Sequence, residues 1–196
     1  MENILLVNSC IKGREESRTY ELATFFINKY VHGRKDVNIK EIAVNELNIK
    51  PFTKEMIAER DDEVKEKKTD KLIKLAKEFA QYDTIVVAAP YWDMMFPSAL
   101  KIYYEHISVS GITFAYGQNG EEIGLCKAKK AVYITTAGGY IGKRNFGYEY
   151  TKSLFNFMGI NDIYFIKAEG LDIIGNDAEK AMIEAKKEAE ILSEKI

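Results

Sequence analysis

Val86-Val87-Ala88-Ala89-Pro90-Tyr91-Trp92-Asp93-Met94-Met95-Phe96-Pro97 is a buried apolar strand running straight into an aromatic loop bracketed by two prolines. From Thr84 to Ala89 there is no alternation of apolar and polar residues. A strand of that kind is covered on both faces by helices, as in a parallel sheet. Ligands of such sheets bind beyond the carboxyl ends of the strands, so the loop after Ala89 suits a flat ring. Taken alone, Tyr91, Trp92 and Met94 read more readily as a cap on the core, and two further segments change that balance.

Outward from that strand, four more β-patterned runs recur near Asn3–Asn8, Asn38–Ile42, Ala131–Thr135 and Asp162–Ala168. Helical stretches lie between them. One apolar stripe passes through Leu22, Phe25 and Phe26 to Lys29, a second through Leu72, Leu75, Ala76 and Phe79, and a third through Ala178, Ala181, Met182, Ala185 and Ala189. Strands alternating with helices predict an α/β fold, a doubly wound five-stranded parallel sheet with helices on both faces. The right-handedness of crossovers favours strand order 2-1-3-4-5. The charge runs Glu63–Lys71 and Glu179–Glu190 read as solvated helix faces. Ser108–Lys130, with Gly111, Gly117, Gly120 and Gly124 around Ile112–Tyr116, breaks the rhythm as an inserted loop or hairpin, expected to cover a site or reach a partner subunit, the alternative being a surface hairpin without function.

Totals narrow the class. A chain of 196 residues suits one α/β domain spanning 1–196. With 28 basic against 30 acidic residues the net charge is −2, so no broad basic field exists for nucleic acid or an anionic membrane. Cys10 and Cys126 stand far apart without metal-ligand spacing, which suggests reduced thiols and neither a disulfide framework nor a zinc site. No apolar run has membrane-spanning or signal-peptide length, and a soluble cytoplasmic protein is expected.

Two further strand ends add chemistry to the aromatic loop. After the first strand, Ser9-Cys10-Ile11-Lys12-Gly13-Arg14-Glu15-Glu16-Ser17-Arg18-Thr19 leads into a helix that begins close to Ser17. The free N–H groups and positive dipole end of such a helix attract phosphate, hydroxyls of Ser9, Ser17 and Thr19 can donate to it, and Arg18 can add charge. Ser17 could also be a plain N-cap. Neither GxGxxG nor GxxxxGK[ST] occurs. The fourth strand ends in Thr135-Thr136-Ala137-Gly138-Gly139-Tyr140, where paired glycines let backbone N–H groups approach a ring edge or simply form a tight turn. Three loops at one end of the sheet thus each suit one portion of a phosphorylated aromatic cofactor.

Taken in order, these residues resemble the flavodoxin-like FMN-dependent NADH azoreductases, also described as quinone reductases, over nearly the whole chain. Ser9 matches the family's serine after the first strand, and Ser17-Arg18-Thr19 its S-x-S phosphate loop. Tyr91-Trp92-Asp93-Met94 after Ala89-Pro90 matches Met-Tyr-Asn-Phe, and Thr136-Ala137-Gly138-Gly139 matches Ser-Arg-Gly-Gly, with Tyr140 alongside. Leu100-Lys101, Gly111-Ile112-Thr113-Phe114 and Phe157-Met158-Gly159-Ile160 extend the similarity. The resemblance implies a homodimer binding FMN near the subunit interface through these residues. It also implies ping-pong hydride transfer, with NADH or NADPH reducing FMN before a quinone, azo or nitroaromatic acceptor takes its place.

Such chemistry resides in the cofactor, so no dedicated acid, base or nucleophile is demanded, and His106 and Cys126 are expected to be structural. Asp93, Trp92 and Ala137 depart from the family's usual asparagine, tyrosine and arginine. An ionised Asp93 would lower a flavin's potential, whereas a desolvated one could stay neutral and donate. Two other functions fit the same fold. A flavodoxin-type electron carrier would bind FMN without accepting hydride, and a regulatory α/β domain would bind no flavin at all.

Overall fold

The computed structural model describes residues 1–66 and 70–196. Its elements run β1 (Glu2–Asn8), α1 (Gly13–Glu16), α2 (Arg18–Val31), β2 (Val37–Ala43), α3 (Lys54–Glu66), α4 (Lys74–Phe79), β3 (Thr84–Ala88), α5 (Ser98–Ile107), β4 (Phe114–Tyr116), β5 (Glu122–Gly124), β6 (Lys130–Thr136), α6 (Phe146–Phe157), β7 (Asp162–Ala168) and α7 (Ala178–Lys195). Five strands form one parallel sheet in the order β2-β1-β3-β6-β7. With the short β4–β5 pair set aside, that is the order 2-1-3-4-5 expected from the chain.

Alternate residues of the central strands serve two separate cores, which is why they show no polar alternation. Leu5, Val7, Ile85, Val87, Ala131 and Tyr133 face one side, against Phe79, Leu100, Tyr103, Tyr104 and Phe155 of α4, α5 and α6. Ile4, Leu6, Val86, Ala88, Val132 and Ile134 face the other, against Leu22, Phe26 and Tyr30 of α2 and Met182, Ala185 and Ala189 of α7. Both helix stripes read at Leu22–Lys29 and Ala178–Ala189 therefore fill one layer. The edge strand β2 keeps Ile39 and Lys40 at the surface.

The charge run Glu63–Lys71 requires a correction where it begins, while its residues 67–69 lie outside the described residues. Glu63 is not solvated but buried, and its carboxylate accepts the backbone N–H groups of Lys71 at 3.1 Å and Leu72 at 2.8 Å. Charged acceptors satisfy free backbone donors at the start of a helix, and this one serves the turn that leads into α4. Within α3 it is the buried residue, so this helix lacks the apolar stripe by which sequence patterns are recognised.

Residues 108–130 hold the antiparallel β4–β5 hairpin, packed onto the end of α6 through Phe114 and Phe157, whose ring centroids are 4.3 Å apart. Gly159 ends α6 with φ of 87°, and a Cβ at Gly124 would sit 2.1 Å from the Gly159 nitrogen. Two glycines are needed there so that hairpin and helix end can meet backbone to backbone.

Candidate functional site

All five parallel strands present their carboxyl ends at one rim, and the loops after β1, β3, β6 and β7 enclose a cleft of about 170 Å³. Ser17, Arg18 and Thr19 line it from the start of α2, Pro90, Tyr91 and Trp92 from the loop after β3, and Thr136, Ala137 and Gly138 from the end of β6. A larger hollow of about 430 Å³ lies alongside, sharing Lys12 and Glu16 with the cleft. Convergence of loops, more than volume, marks the smaller cleft as the candidate site.

Ser17 caps α2 by accepting the N–H of Tyr20 at 3.2 Å. The N–H groups of Arg18 and Thr19 meet no acceptor among the described residues, so the positive end of a fourteen-residue helix opens with two free donors. Thr19 and Thr136 are joined through their hydroxyls at 2.6 Å, pinning that helix start to the end of β6. Ser9 is fully buried at the end of β1 and its hydroxyl donates to Ala88 O at 3.0 Å, which places it beneath the cleft. Behind the loop, Glu41 accepts from Asn8 at 2.8 Å, from Tyr20 at 3.0 Å and from Arg14 at 3.2 Å, anchoring α1 to the sheet. Burial pushes the Glu41 carboxyl up, but these three partners outweigh it and hold the group below the usual carboxylate range.

The loop after β3 closes on itself. Trp92 and Met95 exchange both backbone hydrogen bonds, at 3.2 and 2.8 Å, around Asp93 at φ 47° and Met94 at φ 66°. Positive φ at both central positions makes this a type I′ turn, a conformation that favours Asn-Gly and strains methionine. Its effect is to hold Trp92 and Met94 about half exposed, at 49% and 46%. Asp93 is exposed at the tip, and neither Asp93 nor Met94 lines the cleft. Tyr91 is fixed at both ends, its N–H on Thr136 O at 3.0 Å and its hydroxyl on Arg144 O at 2.9 Å.

At the end of β6, a Cβ on Gly138 would lie 2.4 Å from a carboxylate oxygen of Asp172, so a side chain there would have to displace that carboxylate. Gly139 faces open space, and its N–H, like that of Gly138, has no acceptor among the described residues. Tyr140 turns aside, its hydroxyl accepting from Asn176 at 3.1 Å. His106 is buried on α5, stacked on Phe52 at 4.2 Å with Nε2 on Lys50 O at 2.9 Å, in a structural setting. Burial pushes the Cys10 thiol up to about 11 and that of Cys126 up to about 12.

A family model described as "Flavodoxin-like fold" matches residues 2–192. The chain belongs to this flavodoxin-like family. Among family members, an FMN-dependent NADH:quinone oxidoreductase of Coprothermobacter proteolyticus is 39% identical over 98% of both chains. A protein of the same name, numbered 2, from Clostridium acetobutylicum is 35% identical over 91% of this chain and 92% of its own. In three dimensions the flavodoxin-like architecture aligns with an azoreductase of Bacillus anthracis at a TM-score of 0.88, 20% identity and full coverage of both chains. An FMN-dependent NADH-azoreductase of Bacillus anthracis, solved with FMN, aligns at 0.86, with 22% identity over 100% of this chain and 99% of that one.

Asp172, on the loop after β7, also lines the cleft of this flavodoxin-like chain and was not foreseen from the sequence. A signal existed. β7 itself was legible, and every parallel strand delivers its following loop to the same rim. Lys12, Ile11 and Glu16 enter from the stretch already singled out after β1.

Proposed function

We propose that this protein is an FMN-dependent NAD(P)H oxidoreductase that reduces quinones, azo compounds and nitroaromatics by a ping-pong route, in which the oxidised donor leaves before the acceptor enters. The observation that carries the reading is the convergence of four loops on one cleft, with free N–H groups of Arg18 and Thr19 at the start of α2 and of Gly138 after β6. The names of its relatives point the same way. The residues suit the cofactor: the α2 donors and Arg18 match a phosphate, and a glycine pair without side chains suits the polar edge of a flavin ring. Bound FMN supplies the hydride acceptor and electron donor that no side chain here provides.

The chain's own residues orient and shield. Tyr91, held by two hydrogen bonds, and Trp92, raised by the type I′ turn, form an aromatic edge for a ring to lie against. A cleft of about 170 Å³ is small beside the roughly 300–1,000 Å³ of ordinary small-molecule sites. We take a homodimer to supply the rest, with Trp92 half exposed at the cleft and Met94, Tyr140 and Phe146 exposed on the elements that follow β3 and β6. Residues 1–196 are read as one flavin-binding domain, and a cytoplasmic setting accords with an NAD(P)H donor and two free cysteines. Among the described residues no helix is long and apolar enough to cross a membrane.

Anaerobic titration of the yellow protein with NADH should bleach its flavin absorbance, and a quinone or an azo dye added afterwards should restore it. Colourless protein indifferent to added FMN would refute the reading. A flavin that NADH fails to bleach would point to an electron carrier.

A further inference from the structure

The phosphate end of the cleft carries balanced charge. Lys12 and Arg18 are offset by Glu16 and Asp172, so the lining side chains carry no net charge and the α2 N-terminus is left as the positive feature an entering phosphate meets. Arg18 is already engaged: its guanidinium donates to Asp172 at 2.7 Å and to Leu171 O at 3.2 Å. The backbone of Asp172 is fixed as well: its N–H donates to Gly138 O at 2.9 Å, and one carboxylate oxygen lies over Gly138, 2.4 Å from where a Cβ would stand. The loops after β6 and β7 are zipped together around it by the bonds Leu171 N to Ala137 O, at 3.2 Å, and Gly170 N to Gly139 O, at 2.9 Å.

We propose that Asp172 is a specificity-determining residue that holds Arg18 until a phosphate claims it, and so sets how strongly the cleft prefers FMN over the same ring system without phosphate. This inference rests on the flavin reading of the cleft. Magnitudes favour an exchange. The Arg18 and Asp172 side chains are 37% and 65% exposed, and ion pairs that open to solvent contribute little to stability. A phosphate dianion offers guanidinium a charge-assisted, two-pronged partner, and a released Asp172 is hydrated at once, without the cost of a buried unpaired charge. Asp172 therefore opposes phosphate in two ways, by occupying Arg18 and by repelling the anion directly. Neither effect acts on a flavin that lacks phosphate.

The test compares FMN with riboflavin on the full-length protein stripped of flavin, using flavin fluorescence at low and high salt. Asp172→Asn should tighten FMN about threefold, with riboflavin changed less than about twofold, since the pair is solvent-screened. Arg18→Gln should loosen FMN by about tenfold, again leaving riboflavin nearly alone. In the Arg18→Gln background, Asp172→Asn should gain less, because there is no guanidinium to release, and high salt should shrink every one of these differences. The proposal is overturned if Asp172→Asn leaves FMN affinity where it was, or moves both flavins in parallel as a merely structural change would. Asp172→Ser carries the same measurement if the asparagine variant does not fold. Wild-type protein that binds neither flavin would overturn the flavin reading itself, and this inference with it.

Discussion

Glu41 shows how one carboxylate can hold a loop in place. Asn8, Tyr20 and Arg14 all bond it, from β1, α2 and α1, so its charge keeps the loop after β1 against the sheet. Its folded pKa is depressed below the ordinary value of 4.5, so its contribution is complete above that value and is lost as the pH falls through the folded pKa. Thermal melts should therefore show stability falling as the pH drops below about 4.5, and Glu41→Gln should flatten that fall while lowering stability at neutral pH. An unchanged acid slope in the variant would count against the network. The two thiols behave in the opposite sense. Burial raises both, and Cys10 and Cys126 donate to Ala88 O and Thr113 O. At pH 8 the folded protein should react with a disulfide reagent far more slowly than free cysteine, with both thiols titrating promptly in denaturant. A fast-reacting thiol in the native protein would refute this.

Among the elements, the type I′ turn after β3 was the one least open to prediction. Its sequence, Trp92-Asp93-Met94-Met95, has no glycine, and positive φ at Met94 costs about 1 kcal/mol, which the surrounding aromatic loop has to sustain. Met94→Gly should relieve most of that strain and raise the melting temperature by about 2–4 °C. Calorimetry that shows no rise would mean the methionine's contacts repay its backbone. Asp93 suits its place in the turn at φ 47°, since Asn and Asp tolerate this backbone conformation better than other side chains. α3 was obscure for the opposite reason. It buries a carboxylate where patterns look for an apolar stripe, and Glu63 is used to tie the chain into α4.

For the molecule as a whole, Trp92 lines the cleft while about half exposed, and Met94, Tyr140 and Phe146 are exposed on the loops that follow β3 and β6 and at the start of α6. A second copy that covers them should give a solution mass near twice 22.4 kDa, and Trp92→Lys should shift the mass toward the monomer and weaken FMN retention together. Light scattering with absorbance at the flavin band measures both. A monomeric, fully loaded wild-type protein would separate the cofactor from dimerisation.

The alternating strands and helices specified the layered sheet and its order, because unbroken apolar strands have a stable place only between two helical layers. They also directed attention to the loops after β1, β3 and β6, since parallel strands send their following loops to a single rim. Tertiary structure alone decided that Ser9 lies beneath the cleft, that Asp93 and Met94 stand in a strained turn, and that Asp172 reaches Arg18 from 154 residues away. Local patterns record which way a residue prefers to turn and which face it buries. Which partner it meets across the rim depends on how distant loops pack.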